Sequence, residues 1–221
     1  MRILSRAFRR PPISSGGGAV WPVSGLIHYW KMEEANLEDR LDSIGSLSLI
    51  ANNQTVPRVT GIHNHAAQVD SSSMLTGNFS EPAAFSVAFW FKTAGSVSDP
   101  TELIFKNGLD FQFDMQIQPD GTALWYVDDP VNPLDSGADK FTFGQWSFVA
   151  AGFDSGTLFV SVNGGTKHTL AGAHTPEDSP MTIYNGTSGV EVLVDEVSFY
   201  NRGLSPADIA ALWAGGSGFF L

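Results

Sequence analysis

The sequence predicts an all-β protein, an antiparallel β-sandwich of the jelly-roll type, with one short helix near its C-terminus. Glycine, proline and phenylalanine number 23, 12 and 16 among 221 residues, a composition typical of short apolar strands joined by tight turns. Short apolar segments recur at regular spacing from residue 25 onward. Cysteine is absent, so the fold has to depend on packing and not on disulfides or thiolate metal sites.

The clearest strand spans residues 111–118, in which odd positions up to 117 are apolar and even positions are polar. This alternation predicts one buried face and one solvated face. A turn at residues 119–121 and a returning strand at residues 122–127 predict a hairpin. Residues 85–91 are apolar on nearly both faces, which is the pattern of a central strand.

A second hairpin is predicted from two apolar segments around a short turn. Its strands are residues 146–153 and 157–162, and its turn is Asp154-Ser155-Gly156. Further strands are predicted at residues 26–32, 47–50, 66–70, 103–105, 181–184 and 190–200. Together these segments supply enough strands for two sheets.

The single helix is predicted to run from Pro206 to about Ala214. Ser205 fits the N-cap position, and Asp208 completes a Ser-x-x-Asp capping box. Proline is favoured at the first helical position, and the two glycines that follow Ala214 predict the helix end.

The charge is segregated between the N-terminus and the rest of the chain. Residues 1–24 are interpreted as a basic arm and glycine-rich linker, residues 25–214 as one domain, and residues 215–221 as an apolar tail. The chain has 12 basic and 23 acidic residues, a net charge of −11, and four of the bases lie in the arm. The remainder therefore carries a net charge of −15, which disfavours binding of duplex nucleic acid through the folded body.

The N-terminal arginines also bear on targeting. They interrupt every apolar stretch near the start of the chain, so no export signal is predicted. No apolar segment reaches the roughly 20 residues that a membrane-spanning helix needs.

Several segments, in this order, resemble the concanavalin A-like lectin/glucanase superfamily, and most closely its laminin G-like branch. They are residues 25–34, the Asp-Ser-x-Gly turn at residues 42–45, and residues 66–70, 85–92, 144–150, 158–164 and 194–209. The last segment, VDEVSFYNRGLSPADI, is similar over its full length to the closing strand and helix of that family. The resemblance covers residues 25–213 and implies a concanavalin A-like jelly roll. Such a likeness specifies fold better than function.

Enzymes of this superfamily share a Glu-x-Asp-x-x-Glu strand, and this sequence lacks it. The nearest group is Glu191, Asp195 and Glu196, whose spacing places Glu196 on the face opposite the other two in a regular strand. Retaining glycosidases need two carboxyl groups about 5–5.5 Å apart. We therefore expect a protein that is not an enzyme.

Asp195 occupies a position where an apolar residue is expected. In a regular strand over residues 193–199 it would share a face with Val197 and Phe199, and so point into the core. A buried carboxylate has to meet a cation, a basic side chain or several hydrogen-bond donors.

The resemblance implies one such partner, a calcium ion. In laminin G-like relatives the matching aspartate, together with the aspartate of the Asp-Ser-x-Gly turn, often binds calcium, which implies Asp195 and Asp42 as metal ligands here. Calcium needs six to eight oxygen ligands, so backbone carbonyls would have to join. The alternative is that Asp195 accepts backbone N–H donors or pairs with Arg40 or Arg202.

A second candidate site is an acidic loop that follows two aromatic residues. Aromatic rings and carboxylates are frequent components of saccharide pockets. The predicted ligand-binding residues are Trp125, Tyr126, Asp128 and Asp129, with Asp135 and Asp139 further along the loop. A second calcium site and a merely solvated acidic loop are the alternatives.

We expect a non-catalytic structural or adhesion protein, a tailed-phage virion component that decorates the capsid or belongs to the tail. Laminin G-like modules usually work outside cells, whereas a virion protein is assembled in the host cytoplasm and needs no export signal or disulfides. The predicted assembly contacts, to further copies of the chain and to other virion proteins, are Arg2, Arg6, Arg9, Arg10, Phe219, Phe220 and Leu221. The acidic sandwich would then face outward toward a host-surface glycan.

The alternative is a free bacterial carbohydrate-binding module with a calcium-stabilised sandwich. In that case a groove on the concave face would bind the sugar, and the protein would act as a monomer.

Overall fold

A computed structural model describes residues 22–36, 38–52, 56–107, 111–184 and 190–218. The arginines of the predicted arm and the three C-terminal apolar residues lie outside this part of the chain. The described strands are, in chain order, β1 (Leu26–Trp30), β2 (Ile50–Asn52), β3 (Arg58–Thr60), β4 (His65–Val69), β5 (Met74–Ser80), β6 (Phe85–Thr93), β7 (Thr101–Asn107), β8 (Phe111–Ile117), β9 (Ala123–Val127), β10 (Leu134–Asp135), β11 (Ser147–Asp154), β12 (Thr157–Val162), β13 (His168–Ala171), β14 (Asp178–Ile183) and β15 (Val192–Tyr200).

These strands form two sheets that confirm the predicted antiparallel sandwich. The first sheet has eight strands, in the order β13-β12-β11-β6-β15-β4-β3 with β1 also paired to β15. The second has seven strands, in the order β10-β9-β8-β7-β14-β5-β2. Side chains of both sheets form the main core, which includes Phe85, Phe113, Trp125 and Phe199. The sandwich is thus closed by the last strand, which lies at the centre of the first sheet.

Strand β6 is buried on both faces, as its unbroken apolar sequence predicts. Phe89 and Phe91 lie in the core between the sheets. Ala88 and Trp90 point the other way, into a second apolar cluster on the outer side of the first sheet. The strand lies between β11 and β15, so both of its edges are paired as well.

The second cluster explains where the helix packs. Helix α1 spans Pro206–Trp213 and begins with the predicted capping box, in which Ser205 and Asp208 bond each other's backbone N–H reciprocally. It contributes Ile209 to the second cluster, and Trp213 stacks on Trp90 with ring centroids 5.1 Å apart. A 3-10 turn at Ala214–Gly216 follows. The helix therefore covers the outer face of the first sheet.

Four strands were not predicted, because their sequences lack a strong apolar alternation: β3, β5, β10 and β13. The strand predicted at residues 47–50 is also displaced, since β2 begins at Ile50. Strand β5 contains Gly77 and Asn78, and β13 is an edge strand with three exposed residues. Such strands depend on their pairing partners more than on their own sequence.

The outer face of β8 is largely buried and not solvated, in contrast to the prediction from its sequence. Its even positions were expected to be solvated, but Gln112 and Asp114 are both buried. Asp114 lies between Phe105 of β7 and Tyr126 of β9 in the strand register, and these two large rings flank it on the same face. Burial raises the pKa of Asp114 to about 7.

Candidate functional site

A cleft of about 690 Å³ opens at one end of the second sheet. Strands β8 and β9 form a hairpin in which Phe113 faces Val127, so the start of β8 and the end of β9 lie together. The segment before β14 completes the wall. The lining residues are Phe111, Gln112, Asp128, Pro130, Thr175, Pro176 and Glu177.

Asp128 links two of the cleft's walls. Its Oδ2 accepts the backbone N–H of Thr175 at 2.6 Å, and its Oδ1 lies 3.0 Å from Nδ1 of His174. Asp128 has a positive φ of 50°, a conformation that aspartate tolerates better than most residues. The carboxylate therefore holds residues 174–175 against the end of β9.

The His174 side chain is fully buried behind this contact. Its Nε2 lies 3.6 Å from Oε1 of Glu81, so the imidazole is placed between two carboxylates. The ring also packs on Phe85 and Phe153, with centroids 5.0 and 5.5 Å apart. This packing fixes the ring and, through it, the position of Asp128.

A buried ion pair lies behind the same wall. Nζ of Lys106 is 2.6 Å from Oε2 of Glu81, and neither side chain is exposed. Lys106 also donates to the backbone carbonyl of Glu177 at 2.5 Å and to Oγ of Ser179 at 2.6 Å. The ammonium group of Lys106 therefore links strand β7 to the segment that contains Glu177, and it is not exposed to solvent.

Glu177 and Gln112 meet at the cleft. Nε2 of Gln112 donates to Oε2 of Glu177 at 3.1 Å. The cleft thus combines carboxylate and amide groups with the apolar surfaces of Phe111 and two prolines. Concave sites with apolar walls and a few fixed polar groups are typical of small-ligand binding.

The structure brings some of the predicted ligand-binding residues to this cleft. Asp128 lines it, and the half-buried ring of Tyr126 makes an edge contact with Phe111 at 6.3 Å. Asp129 lines a smaller neighbouring cleft of about 200 Å³. Its carboxylate accepts the backbone N–H groups of Val131 and Asn132 and so stabilises the turn.

Trp125 lies elsewhere. Its side chain is fully buried between the sheets, where its indole N–H donates to the carbonyl of Gly152 at 3.1 Å. Its ring packs on Phe113 at 5.4 Å. A sugar could reach this ring only if the core were opened, so Trp125 acts as a core residue. Strand alternation explains this, since Tyr126 and Trp125 must point to opposite faces.

Six residues of the cleft were not identified from the sequence: Phe111, Gln112, Pro130, Thr175, Pro176 and Glu177. The contact between Gln112 and Glu177 joins residues 65 positions apart. No local pattern indicates such a contact, because it arises from the strand order β8-β7-β14.

The two aspartates predicted to bind calcium have different surroundings. The carboxylate of Asp42 is almost fully buried and accepts the backbone N–H groups of Tyr29, Ile44, Gly45 and Leu47. It also lies 2.6 Å from Nδ1 of His28. These contacts occupy the oxygens that a metal would need, so Asp42 fits a structural role in its turn and does not fit a calcium ligand.

Asp195 is buried as predicted, but its side chain lies on the outer face of the first sheet and not in the core between the sheets. A β-bulge interrupts the pairing of β15 with β6 between Asp195 and Ser198, and Glu196 adopts a positive φ of 53° there. Asp195 therefore lies opposite Trp90, on the outer face, while Val197 points into the core. The predicted inward orientation was wrong, because it assumed an unbroken strand.

The partners of Asp195 are backbone groups, one of the two alternatives to a metal. Its Oδ2 accepts the N–H groups of Ile62 and His63 at 3.0 and 3.2 Å. A Cβ at Gly61 would lie 2.3 Å from the same oxygen, so only glycine allows this approach. The other alternative does not apply, since Arg40 bonds backbone carbonyls and Arg202 pairs with Asp208.

Oδ1 of Asp195 has no hydrogen-bond partner, and neither has Oε1 of the adjacent Glu196. Oε2 of Glu196 accepts the hydroxyl of Tyr29. Burial raises the pKa of each of these two carboxyl groups to about 8. Within the described residues no group of three or more His, Asp or Glu could hold a metal ion. Calcium binding at Asp195 remains a prediction.

The architecture is that of a lectin-like jelly-roll domain. It has two facing antiparallel sheets, a last strand that closes the sandwich, and a cleft at one end of the second sheet. The chain belongs to the concanavalin A-like lectin/glucanases superfamily, whose laminin G-type family model matches residues 63–210. This confirms the resemblance inferred from the sequence segments. No curated protein matches the chain by sequence.

Solved structures with a similar fold include several binding domains. The binding domain of Paraclostridial mosquitocidal protein 1 has a TM-score of 0.69 at 14% identity, over 86% of this chain and 52% of that chain. The ligand-binding domain of botulinum neurotoxin serotype D, in complex with N-acetylneuraminic acid, has a TM-score of 0.69 at 15% identity, over 86% and 51%. Trypanosoma rangeli sialidase has a TM-score of 0.66 at 16% identity, over 94% and 35%.

At these identities the likeness shows the fold alone. The chain spans about half the length of the toxin domains. Among the described residues, no helix is both long and apolar enough to cross a membrane.

Proposed function

We propose that this protein is a non-catalytic glycan-binding module and that it binds sugar in the cleft between the β8–β9 hairpin and the segment before β14. The proposal rests on the composition and the rigidity of this cleft. Carboxylate and amide groups can bond sugar hydroxyls, while Phe111 and the prolines can pack on the apolar face of a sugar ring.

The buried contacts behind the cleft support a preformed site. Asp128 is fixed by Thr175 and His174, and the segment of Glu177 is fixed by Lys106. A site whose polar groups are already ordered loses less conformational entropy when ligand binds. The ligand named for one similar fold also supports the choice of ligand class, since the ligand-binding domain of botulinum neurotoxin serotype D is described in complex with N-acetylneuraminic acid.

Binding to a glycan array, followed by calorimetry with the best ligand, tests the proposal. We expect Phe111→Ala and Asp128→Asn to weaken binding at least tenfold, the effect of losing about 1.4 kcal/mol of contact. Asp99→Asn is the matched control, because Asp99 is exposed before β7, at the strand end opposite the cleft. Absence of binding to any glycan, or equal loss in all three variants, would contradict the proposal.

A finer proposal concerns the setting in which the module works. We propose a structural or adhesion component of a tailed-phage virion, held to further copies of the chain and to other virion proteins through its termini. The charge distribution of the sequence supports it, since an arm with four arginines and no acidic residue adjoins a strongly acidic body.

The arm can be tested in the full chain by changing Arg6, Arg9 and Arg10 together to glutamate. We expect the wild type to sediment as an oligomer and the triple variant as a monomer with an unchanged circular dichroism spectrum. A wild-type monomer that binds sugar strongly would favour the free carbohydrate-binding module instead.

A further inference from the structure

We infer that the cleft selects sugars that carry a protonated amine and rejects sialylated and other anionic glycans. This inference rests on the proposed glycan-binding function and adds the charge of the ligand. The described residues that line the cleft include two carboxylates, Asp128 and Glu177, and no lysine or arginine.

Both carboxylates are accessible to a ligand. The side chain of Asp128 is 22% exposed, and Glu177 is half-buried at the cleft wall. Hydrogen bonds from protein groups orient both, Asp128 through the Thr175 N–H and Glu177 through the Gln112 amide. An anionic sugar placed here would face two fixed like charges in a partly desolvated site, where the repulsion is stronger than in water.

The basic groups behind the wall do not face a ligand in the cleft. His174, whose Nδ1 is 3.0 Å from Oδ1 of Asp128, is fully buried between Asp128 and Glu81. Lys106 lies behind the wall with no exposed surface, and its ammonium contacts Glu81, Ser179 and the carbonyl of Glu177. Turning Lys106 toward a ligand would leave Glu81 buried without its counter-charge, which is strongly unfavourable. The lysine therefore stabilises the wall and contributes no anion-binding group to the cleft.

The charge of the whole molecule acts in the same direction. The net charge of −11 gives a field that repels anions and attracts cations over distances near the Debye length. The cleft therefore differs in its chemistry from what a sialic acid site requires, although sialic acid is bound by a similar fold.

Two oligosaccharides with the same backbone separate charge from shape. Hexa-glucosamine carries free amines, and its fully N-acetylated form carries none; at about pH 6 the free amines are protonated. We expect calorimetry at low salt to give three- to tenfold tighter binding of the amine form, about the effect of one or two partly exposed ion pairs. Sialyllactose should not bind, and added salt should reduce the preference.

Variants of the cleft identify the charges responsible. Asp128→Asn and Glu177→Gln should each reduce the preference for the amine form about two- to fivefold. Asn keeps a carbonyl oxygen for the Thr175 N–H and tolerates the positive φ of residue 128, so the cleft should keep its shape. Asp99→Asn removes the same charge from an exposed site about 20 Å away along β7 and should leave the preference unchanged.

The outcomes distinguish this inference from the function on which it rests. Tight binding of sialyllactose, or a preference for the amine form that persists in both cleft variants, would overturn the inference and leave a glycan-binding module. Failure of every sugar to bind would overturn the proposed function as well. Equal affinity for the two hexamers, with binding lost in Asp128→Asn, would show a glycan site without charge selection and would also overturn the inference.

Discussion

Glu196 offers a direct test of the electrostatics of the closing strand. Its side chain is buried at the bulge of β15 and bonds the hydroxyl of Tyr29. Burial raises its pKa to about 8, compared with 4.5 for an ordinary glutamate. In the folded protein this carboxyl group is therefore protonated at neutral pH, whereas in the unfolded chain it is ionised. Glu196→Gln removes this titration and keeps an amide oxygen that can accept the Tyr29 hydroxyl.

The sign of the effect follows from proton linkage. Between about pH 4.5 and pH 8 the folded state holds a proton at residue 196 that the unfolded state has lost, so the free energy of unfolding falls as pH rises. The slope approaches about 1.4 kcal/mol per pH unit in this range. From pH 5 to pH 7 the wild type should therefore lose about 2–3 kcal/mol relative to Glu196→Gln.

Urea unfolding at several pH values measures this difference. Other carboxyl groups, including Asp195, remain in both proteins, so their titration largely cancels when the two curves are subtracted. Glu38→Gln makes the same chemical change at an exposed site and should stay within about 0.5 kcal/mol of the wild type throughout. Parallel curves for the wild type and Glu196→Gln would refute a buried, protonated carboxyl at the bulge.

Three further predictions concern residues singled out from the sequence. Asp42→Ala leaves several backbone N–H groups without an acceptor and should lower the free energy of unfolding by about 2–4 kcal/mol in urea titrations. The control Asp39→Ala, at an exposed position, should change it by less than about 0.5 kcal/mol. Equal losses of stability in the two variants would contradict a structural role for Asp42. Trp125→Ala should cost about 3–5 kcal/mol in the same assay, a purely structural effect if folded protein still binds sugar. Chelation tests the predicted calcium at Asp195, whose Oδ1 has no hydrogen-bond partner: a Tm that falls with chelator and recovers with added calcium is expected, and an unchanged Tm would contradict a bound ion.

Sequence patterns predicted the elements that carry their own signals. The apolar β6 and the capped helix α1 appear where expected, because burial on both faces and the Ser205–Asp208 box are local features. Strands such as β13 have no clear apolar pattern in the sequence, because an exposed edge strand needs no apolar face. Local sequence therefore predicted the fold class more completely than the full set of strands.

The site was less predictable for two physical reasons. Asp128 was identified because aspartates cluster locally, but Glu177 reaches the cleft only through the order of strands in the sheet. The orientation of Asp195 was missed because a single inserted residue, Glu196, reverses the alternation that follows it. A bulge of this kind has no signature in the sequence, since glutamate is not a residue expected at positive φ.

The buried pair of Lys106 and Glu81 has a consequence for how the cleft could be transferred or engineered. The pair joins β7 to the residue that follows β5 and, through Glu177, to the segment before β14. A synthetic peptide covering residues 111–128 would lack this support and should not keep the shape of the cleft wall. Grafting the cleft onto another scaffold would require most of the seven-stranded sheet as a unit.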